Sequence, residues 1–497
     1  MNKANFLGID FGTQGVRCGI FDQTGAAVSV REEKYPTYYP KPGYAEQAPG
    51  DWLASMDRAL DGCYSEAGDA EFALIRGITI CTTSSTVIPV SESGESLGNA
   101  ILWMDNRSVA QVKRINDTNH GILKYCGGED SVEWIVPKMM WIRDNRPDIF
   151  SAADRIVEFQ DFINHYLTGR WCASVSQVTC KAHYVESLGG FNKDFYHAIG
   201  FNEFFEKADL DVVNQGAPIG EIRSELSDRY HIPKDAVIYQ GGIDAHINVI
   251  GLGVCSAGES GVVMGSSFVQ LTLSELETFE DGIWGPYKAG VLPDLYCLEG
   301  GQVSAGSITK WFVKEFKVEG ENPYLTMAEE AEKIPIGSDG VVMLDFFQGN
   351  RTPYKDPKAK GVFYGLTLSH TRGHLYRALL EGVAFGTHNI LELMERGGNK
   401  ITMLRGCGGV TLNRLWLQII SDVTGKPITL TEQSGNAGML GCAICVAVGS
   451  GHFSGFKQAA DSMVRVTEVI EPNMDDHGLY RENFKKYLAV YQNLKNV

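Results

Sequence analysis

Short apolar and polar runs at the start of the chain predict a three-stranded antiparallel meander. A buried-type strand covers residues 6–9, a turn of small residues follows at 12–15, and a second strand covers 16–21. A Gln-Thr-Gly turn then leads into a third strand at residues 26–30. Tight turns between such runs are typical of neighbouring antiparallel strands.

The same pattern returns near the middle of the chain. Residues 261–264 form an apolar run, Gly265-Ser266-Ser267 a small-residue turn, and residues 268–273 a second apolar run. A chain of 497 residues also exceeds the roughly 250 to 300 residues that one hydrophobic core can organise. We therefore expect two similar domains, 1–250 and 251–497, that face each other across a cleft, with the boundary in the small-residue stretch 251–257.

Helical periodicity accounts for much of the remaining chain and makes the predicted class α/β or α+β. The longest predicted helix covers residues 373–395, with Thr371 as a candidate N-cap and Gly397-Gly398 as its end. Residues 75–90 contain strand material around a Thr/Ser-rich turn. The other predicted helices cover residues 50–65, 132–146, 413–424, 437–448 and 479–494.

Charge and hydropathy narrow the classes of partner. The chain has 44 basic and 61 acidic residues, a net charge of −17, and no run of Lys and Arg, so nucleic acid and anionic membranes are not expected partners. The longest uncharged apolar stretch, residues 438–449, is 12 residues, whereas a membrane span needs about 20. With no signal-peptide pattern at the start of the chain, a cytoplasmic location is the default expectation.

The cysteine and histidine patterns indicate neither disulfides nor metal ligands. Eleven scattered cysteines form no disulfide framework, and reduced thiols are expected. Cys442 and Cys445 lie in an apolar helical segment without a second pair, which favours packing over zinc binding. His370 and His374 lack the intervening glutamate of a metalloprotease. The chain also contains no Walker P-loop, and its nearest approach to a dinucleotide fingerprint lacks the last glycine.

Two aspartates and two small-residue turns are the strongest candidates for chemistry. Asp10 ends the first strand immediately before the turn at residues 12–15, where backbone N–H groups and the Thr13 hydroxyl can bind a phosphate while Asp10 faces Mg²⁺. The turn at Gly265 offers similar geometry. Asp244 follows a glycine pair in an apolar setting and has the chemistry of a general base for phosphoryl transfer. A plain hairpin turn at residue 12 and a helix N-cap at Asp244 are the competing interpretations.

These features resemble the FGGY carbohydrate kinases, of the actin, Hsp70 and hexokinase superfamily, which have two ribonuclease H-like domains flanking a central cleft. The similarity spans nearly the whole chain, and it is the ordered set of motifs that makes it specific. The set comprises residues 8–13 with Arg17, Glu46-Gln47 with Trp52, 101–107, 167–169, Asp244, 265–267, 299–301, 349–353, 365–367 with His370-Thr371, Arg377-Ala378 with Glu381-Gly382, and Gly408-Gly409 with Asn413.

The resemblance implies an ATP- and Mg²⁺-dependent kinase and gives its site residues roles. Asp244 becomes the catalytic base, and Asp10 lies by Mg²⁺, directly or through water. The implied substrate contacts are Ser84, Ser85, Trp103, Asp105 and Asp244. The implied nucleotide contacts are Gly12, Thr13, Gln14 and Arg17 on the transferred phosphate, Gly265, Ser266 and Ser267 on the other phosphates, and Gly408, Gly409 and Asn413 at the adenosine pocket.

The substrate is predicted less directly. Xylulose kinases carry a Met-His pair where this chain has Ser84-Ser85, and the Arg-Glu pair of glycerol kinases is not found here. Residues 349–351, 284–287 and 180–184 are similar to the ribulose-kinase branch. A ketopentose of the D-ribulose or xylulose type is therefore the expected substrate, and the hydroxyl-rich run at residues 81–86 suits a polyhydroxylated ligand.

Alternative functions remain open at the level of sequence. An erythritol- or xylitol-type polyol kinase would use the same catalytic residues. A non-catalytic protein that binds ATP or sugar is the alternative from another class, although it would need neither a base at Asp244 nor two phosphate-binding turns. The expected partners are a small sugar and ATP, and a homodimer is a common outcome for the family.

Overall fold

The computed structural model describes residues 3–496 and contains two compact units. Unit 1 comprises the chain up to Cys255 together with Gly285–Cys297 and Asn436–Arg465. Unit 2 comprises Ser256–Trp284, Leu298–Gly435 and the chain from Val466 onward. The predicted domains, 1–250 and 251–497, divide the chain once, whereas these units interleave because two later segments pack with unit 1.

The structure contains strands of two to eight residues. In chain order they are β1 (Asn5–Phe11), β2 (Gly15–Asp22), β3 (Ala27–Lys34), β4 (Glu46–Gln47), β5 (Ile75–Thr82), β6 (Val87–Val90), β7 (Ala100–Ile101), β8 (Arg155–Glu158), β9 (Cys172–Ser174), β10 (Tyr184–Val185), β11 (Gly190–Phe191), β12 (Asp211–Val213), β13 (Pro218–Glu221), β14 (Val237–Tyr239), β15 (Glu259–Met264), β16 (Phe268–Ser274), β17 (Trp284–Lys288), β18 (Tyr296–Gln302), β19 (Val342–Leu344), β20 (Val362–Tyr364), β21 (Met403–Cys407), β22 (Ile428–Thr431) and β23 (Val466–Ile470).

The helices range from single turns to the 25-residue helix in the second half of the chain. They are α1 (Pro49–Phe72), α2 (Val109–Asn116), α3 (Ile135–Asn145), α4 (Pro147–Ala152), α5 (Phe159–Thr168), α6 (Val175–Lys181), α7 (Lys193–Ala198), α8 (Phe204–Lys207), α9 (Ser224–Tyr230), α10 (Asp244–Gly251), α11 (Gly306–Glu315), α12 (Pro323–Glu332), α13 (Arg372–Arg396), α14 (Arg414–Thr424), α15 (Ala437–Gly449), α16 (Phe456–Met463) and α17 (Met474–Leu494).

Unit 1 is organised by a six-stranded sheet with the order β13-β14-β5-β1-β2-β3. The predicted meander is confirmed, since β1, β2 and β3 pair antiparallel. The strands β5 and β14 lie parallel to β1 on its other side. Helix α1 packs against β2 and β3, while α15 packs against β1 and β5. The parallel part of the sheet therefore brings the ends of β1, β5 and β14 to one edge.

Unit 2 repeats part of this arrangement. Its portion of the seven-stranded sheet runs in the order β18-β16-β15-β21-β22-β23. The predicted hairpin is confirmed, since β15 pairs antiparallel with β16, and β15 also pairs parallel with β21. The core of unit 2 contains the buried side of α13, whose first turn is closed by His374 accepting a hydrogen bond from the Thr371 N–H. The carboxyl ends of β15 and β21 thus lie side by side.

Most predicted elements are present, several with bounds that differ by a few residues, and the largest differences are in α1 and the terminal helix. Helix α1 continues to Phe72 instead of ending at residue 65, across a break at Gly68, because apolar residues on one face continue to find partners on the sheet. The terminal helix begins at Met474 and not at residue 479, since Asn473 accepts the N–H groups of Asp475 and Asp476 and caps it there. In residues 3–496 the cysteines are all buried and unbridged, and no helix is long and apolar enough to cross a membrane.

Candidate active site

Three parallel strands of unit 1 end at one edge of the sheet and carry the candidate catalytic residues. Asp10 lies near the end of β1, and Asp244 follows β14 after a short loop. The end of β5 lies between them: the Thr83 N–H donates to Phe11 O at 3.0 Å, and the Thr82 N–H donates to Gly242 O at 3.3 Å. In open α/β sheets, the crevice at the carboxyl ends of parallel strands is the usual ligand site.

Asp10 is buried and held on several sides. Its side chain is 1% exposed, and Arg17 Nη2 donates to Oδ2 at 2.5 Å. The Cys81 thiol contacts Oδ1 at 3.4 Å. A Cβ atom built on Gly438, in the first turn of α15, would lie 2.4 Å from Asp10 Oδ2. The helix therefore approaches the carboxylate so closely that only glycine fits.

Asp244 is half-buried in the first turn of α10. Removal of water by the surrounding protein raises the pKa of Asp244 to about 7, and the negative charge of Asp10 adds to the rise. The N–H of Ala245 and the charges of Arg17 and Lys181 oppose it. A carboxyl group that titrates near neutral pH is suited to accept a proton. The loop before Asp244 is anchored by Ser176, whose hydroxyl accepts the Ile243 N–H at 3.3 Å.

The predicted first phosphate turn is ordered by contacts of its main chain. The Gly12 N–H donates to Gly15 O at 3.0 Å, and the Tyr35 hydroxyl donates to Gly12 O. Gln47 Nε2 donates to Thr13 O at 2.8 Å. Gln14 is exposed at the tip of the turn. Arg17 is 34% exposed on its side chain and so retains a face toward solvent, while the charge of Asp10 raises its pKa.

The predicted sugar residues fall into two groups by exposure. Ser84 and Trp103 are half-buried, and the Trp103 Nε1–H donates to Thr13 Oγ1 at 3.2 Å. Ser85 and Asp105 have no exposed surface. Both Asp105 oxygens are occupied, Oδ2 by the Ala45 N–H at 2.6 Å and both by the Arg107 guanidinium at 2.8–2.9 Å.

The two predicted turns of unit 2 also meet at strand ends. Gly265-Ser266-Ser267 joins β15 to β16 and is closed by Gly265 N–H donating to Ser267 O at 3.1 Å. The Ser266 carbonyl accepts the N–H groups of Ala305 and Ser307, which fixes the start of α11 beside the turn. Gly408 has φ +100°, and a Cβ atom there would lie 2.4 Å from Met264 O. These contacts require glycine at position 408.

A cavity of about 740 Å³ opens at this edge of unit 2. Four predicted nucleotide residues line it: Gly265, Ser266, Gly409 and Asn413. Asn413 caps α14 by accepting the Trp416 N–H at 3.1 Å. Ser267 and Gly408 adjoin lining residues. The volume is within the range of small-molecule sites, about 300–1,000 Å³.

Sequence reasoning missed several residues of these two regions. In unit 1 they are Gly438 beside Asp10, Asn248, whose side-chain amide donates to Asp244 O at 2.9 Å, and Lys138, which donates to Ser85 O at 2.9 Å. In unit 2 they include Lys310, Tyr324 and Tyr376, which line the cavity. A small-residue start to an apolar helix was the available signal for Gly438. The others carried no local signal, since their proximity arises from the fold.

Among residues 3–496 there is no group of three or more His, Cys, Asp or Glu side chains placed to hold a metal ion.

Comparison with known proteins identifies the family. Residues 5–251 match the N-terminal domain of the FGGY family of carbohydrate kinases, and residues 253–450 match its C-terminal domain. This chain belongs to the FGGY family of carbohydrate kinases. The resemblance inferred from the motifs is confirmed, as is the classification as an enzyme of the phosphotransferase class.

Individual FGGY relatives cover the whole chain. A protein from Xenopus laevis, described as an FGGY carbohydrate kinase domain-containing protein, is 31% identical over 99% of this chain and 96% of its own. A xylulose kinase from Staphylococcus epidermidis is 26% identical over 100% and 98%. The crystal structure of a xylulose kinase from Rhodospirillum rubrum superposes with a TM-score of 0.89 at 24% identity, covering 100% and 99% of the two chains. The predicted α/β fold with two domains is thereby confirmed.

Proposed function

We propose that this carbohydrate kinase transfers a phosphoryl group from ATP to a terminal hydroxyl of a ketopentose of the D-ribulose or xylulose type. The observation that carries the proposal is the pair of aspartates at the ends of β1 and β14. Asp10 is buried against Arg17, and Asp244 has a pKa of about 7. One site thus contains a buried carboxyl group bonded to an arginine and a second carboxyl group that can take up a proton.

Asp244 acts as the general base. Transfer to an alcohol requires that the hydroxyl proton leave as the oxygen attacks phosphorus, and a carboxylate within hydrogen-bond reach accepts it. With its pKa near 7, Asp244 is ionised in a large fraction of molecules at neutral pH and holds the proton well once it has taken it. The position after Gly241-Gly242 leaves Asp244 half-buried and not enclosed, so that it can meet a substrate.

Arg17 and the turn at residues 12–15 are proposed to hold the transferred phosphate. Arg17 offers several N–H donors, and its proximity to Asp10 keeps it positively charged. The carboxylates fit Mg²⁺, which is usually bound by one or two carboxylates together with water and substrate phosphates. Asp10 would hold the ion, directly or through water, and the ion would neutralise phosphate charge. Thr13 and Gln14 are proposed to contribute N–H and hydroxyl donors, while Gly12, whose own N–H is bonded to Gly15 O, leaves room for the phosphate to approach.

The nucleotide is proposed to bind in the cavity of unit 2. Its lining combines apolar and aromatic side chains, such as Tyr324 and Leu412, with the main chain of the Gly265 and Gly409 turns. A flat aromatic base can bind against the apolar and aromatic side chains, and phosphates can bind to the main-chain N–H groups of the turns. Gly265, Ser266 and Ser267 are the proposed phosphate contacts, and Gly408, Gly409 and Asn413 border the adenosine.

The ketopentose assignment is supported by hydroxyl-rich residues at the end of β5. Ser84 is half-buried and is the proposed direct contact, together with Trp103 and Asp244. Ser85 and Asp105, which are fully buried, support the site from behind. The xylulose kinase from S. epidermidis supports a pentulose, as do the motifs similar to the ribulose-kinase branch. A polyol kinase would show turnover with xylitol or erythritol instead.

The test is the variant Asp244→Asn. We expect sugar-dependent phosphoryl transfer to fall by more than about a hundredfold, since general-base catalysis contributes roughly 10²–10⁴, while ATP binding measured by calorimetry stays within twofold. Wild-type transfer by this variant would contradict the assignment of the base. The protein is further proposed to act in the cytoplasm and to form a homodimer. Analytical sedimentation would measure the oligomeric state.

A further inference from the structure

Lys138 is a lysine without exposed surface in unit 1, and no step of the proposed transfer uses it. It lies on α3, and its ammonium donates to Ser85 O at 2.9 Å and to Trp103 O at 3.4 Å. Lysine is rarely buried completely, because removing an ammonium group from water is unfavourable unless the charge is compensated. The two carbonyl groups belong to the two segments that form the proposed sugar site.

Glu158, the residue that precedes α5, is the acidic group that acts most strongly on Lys138. Burial lowers the pKa of Lys138 to about 7, and Glu158 is the strongest of the charges that oppose this change. Glu158 is itself buried, which raises its pKa, and the N–H groups of Phe159 and Ser85 favour its ionised form. Ser85 therefore interacts with Lys138 through its carbonyl and with Glu158 through its N–H.

Ser85 needs such support because of its backbone conformation. Its φ is +57°, in the left-handed region that is unfavourable for residues other than glycine, asparagine and aspartate. The Ser85 hydroxyl is buried and has no hydrogen-bond partner among the described residues, so the side chain does not stabilise the turn. The neighbouring Ser84, the proposed sugar contact, depends on this turn for its position.

The same ammonium group reaches the other wall of the proposed site. Trp103, whose carbonyl accepts from Lys138, donates its indole N–H to the Thr13 hydroxyl in the first phosphate turn. Lys138 is thus bonded to the sugar turn and, through Trp103, linked to the phosphate turn.

We propose that Lys138 is a positioning residue for sugar recognition, which fixes the Ser84-Ser85 turn and the Trp103 main chain relative to each other without touching the sugar. The inference rests on the proposed function, because it assumes that these segments bind the substrate. It adds a determinant of sugar affinity that lies behind the site.

The variant Lys138→Met tests this role, because methionine fills most of the volume but donates no hydrogen bond. We expect KM for the sugar to rise about tenfold or more, as for the loss of hydrogen bonds from a charged donor. KM for ATP should stay within twofold, since the cavity proposed for the nucleotide is lined by residues of unit 2 and Lys138 donates to none of the proposed phosphate contacts. A rise in both KM values by the same factor would overturn the proposal, and so would an unchanged KM for the sugar.

Lys426→Met is the matched control. Lys426 is a largely buried lysine of unit 2 that also donates to a carbonyl, Ile401 O at 2.8 Å, and to Glu395 at 2.8 Å, but it lies outside the proposed sites. The variant Lys426→Met should have a lower melting temperature than the wild type, while its KM for the sugar stays within twofold. If the control raised KM for the sugar as much as Lys138→Met, the effect would be a general one and the proposal would be wrong.

A second variant probes the mechanism. Glycine adopts positive φ without strain, so a turn with glycine at position 85 should depend less on Lys138. Lys138→Met should therefore raise KM for the sugar less in a Ser85→Gly background than in the wild type. An equal rise in both backgrounds would contradict the proposal that Lys138 positions the Ser84-Ser85 turn. If Lys138→Met does not fold, Lys138→Leu, which likewise donates no hydrogen bond, is judged by the same KM criteria. A wild-type chain inert toward every sugar would refute the proposed function as well, whereas an active wild type with an unaffected variant would refute only the role of Lys138.

Discussion

Gly438 is the residue whose replacement tests the geometry of the site most sharply. It lies in the first turn of α15, a helix buried against β1 and β5. A Cβ atom at this position would lie 2.4 Å from Asp10 Oδ2 and 2.8 Å from Asp10 Cγ. Ordinary contact begins near 3.4 Å, so the variant Gly438→Ala requires a separation of about 1 Å more between the helix and the carboxylate.

The magnitude of the effect follows from how Asp10 is held. The carboxylate is bonded to Arg17 at 2.5 Å and contacted by Cys81 at 3.4 Å, so it has little freedom to move without breaking these contacts. A misplacement of about 1 Å in a catalytic group reduces rates by roughly a hundredfold. We expect kcat for sugar phosphorylation to fall by about that factor, and the Mg²⁺ concentration for half-maximal rate to rise.

The assay compares Gly438→Ala with Gly449→Ala by steady-state kinetics and thermal unfolding. Gly449 ends the same helix, and a Cβ atom there would lie 2.2 Å from Gly216 O, so the control introduces a similar steric conflict far along the helix from Asp10. Both variants should lose stability, but only Gly438→Ala should lose kcat in the folded protein. A kcat within twofold of wild type for Gly438→Ala, or equal losses in both variants, would refute the reasoning.

Of four further predictions, two concern the base, one the wall of the sugar site and one the nucleotide turn. Because the pKa of Asp244 is raised to about 7, kcat/KM for the sugar should rise with pH and level off above about 7; an acidic limb centred near pH 4 would contradict this. Because the pKa of Asp244 is higher in the folded protein, the folded protein binds more protons than the unfolded chain between about pH 4 and 7. The free energy of unfolding therefore falls as pH rises through that window. Asp244→Asn should raise the melting temperature at pH 8 more than at pH 4.5. Trp103→Phe removes the hydrogen bond to Thr13 at 3.2 Å and should lower kcat/KM for the sugar by about two- to tenfold, the value of one hydrogen bond. A loss above a hundredfold would contradict a role limited to this hydrogen bond. Gly306→Ala places a Cβ atom 2.4 Å from Gly265 O and should raise KM for ATP without changing KM for the sugar, whereas equal changes in both would argue against a nucleotide turn there.

The residues that sequence analysis located share one property: their signal is local. Asp10 ends an apolar run and precedes a turn of small residues, and Asp244 follows a glycine pair. Hairpins of this kind and their register are determined by neighbouring residues, so β1–β3 and β15–β16 could be predicted from short windows. The repeat of the hairpin also pointed to two domains of similar construction.

The residues that sequence analysis missed are defined by contacts between distant segments. Gly438 lies beside Asp10 only because α15 returns to the first sheet and joins unit 1. Lys138 contacts Ser85 and Trp103 from a helix whose apolar neighbours give no sign of a buried charge. Ser85 and Asp105 were expected as substrate contacts from the family resemblance, but their burial follows from tertiary packing, which periodicity does not encode.

A coupled ADP-release assay with Mg-ATP measures directly which class of substrate the kinase phosphorylates. The panel contains D- and L-ribulose, D- and L-xylulose, ribitol, xylitol, erythritol, glycerol and gluconate, each with the wild type and Asp244→Asn. The account predicts strong turnover by the wild type with one ketopentose, stoichiometric formation of its phosphate, and loss of both in the variant. Turnover confined to a polyol or to gluconate, or silence across the panel with ATP still bound, would contradict it.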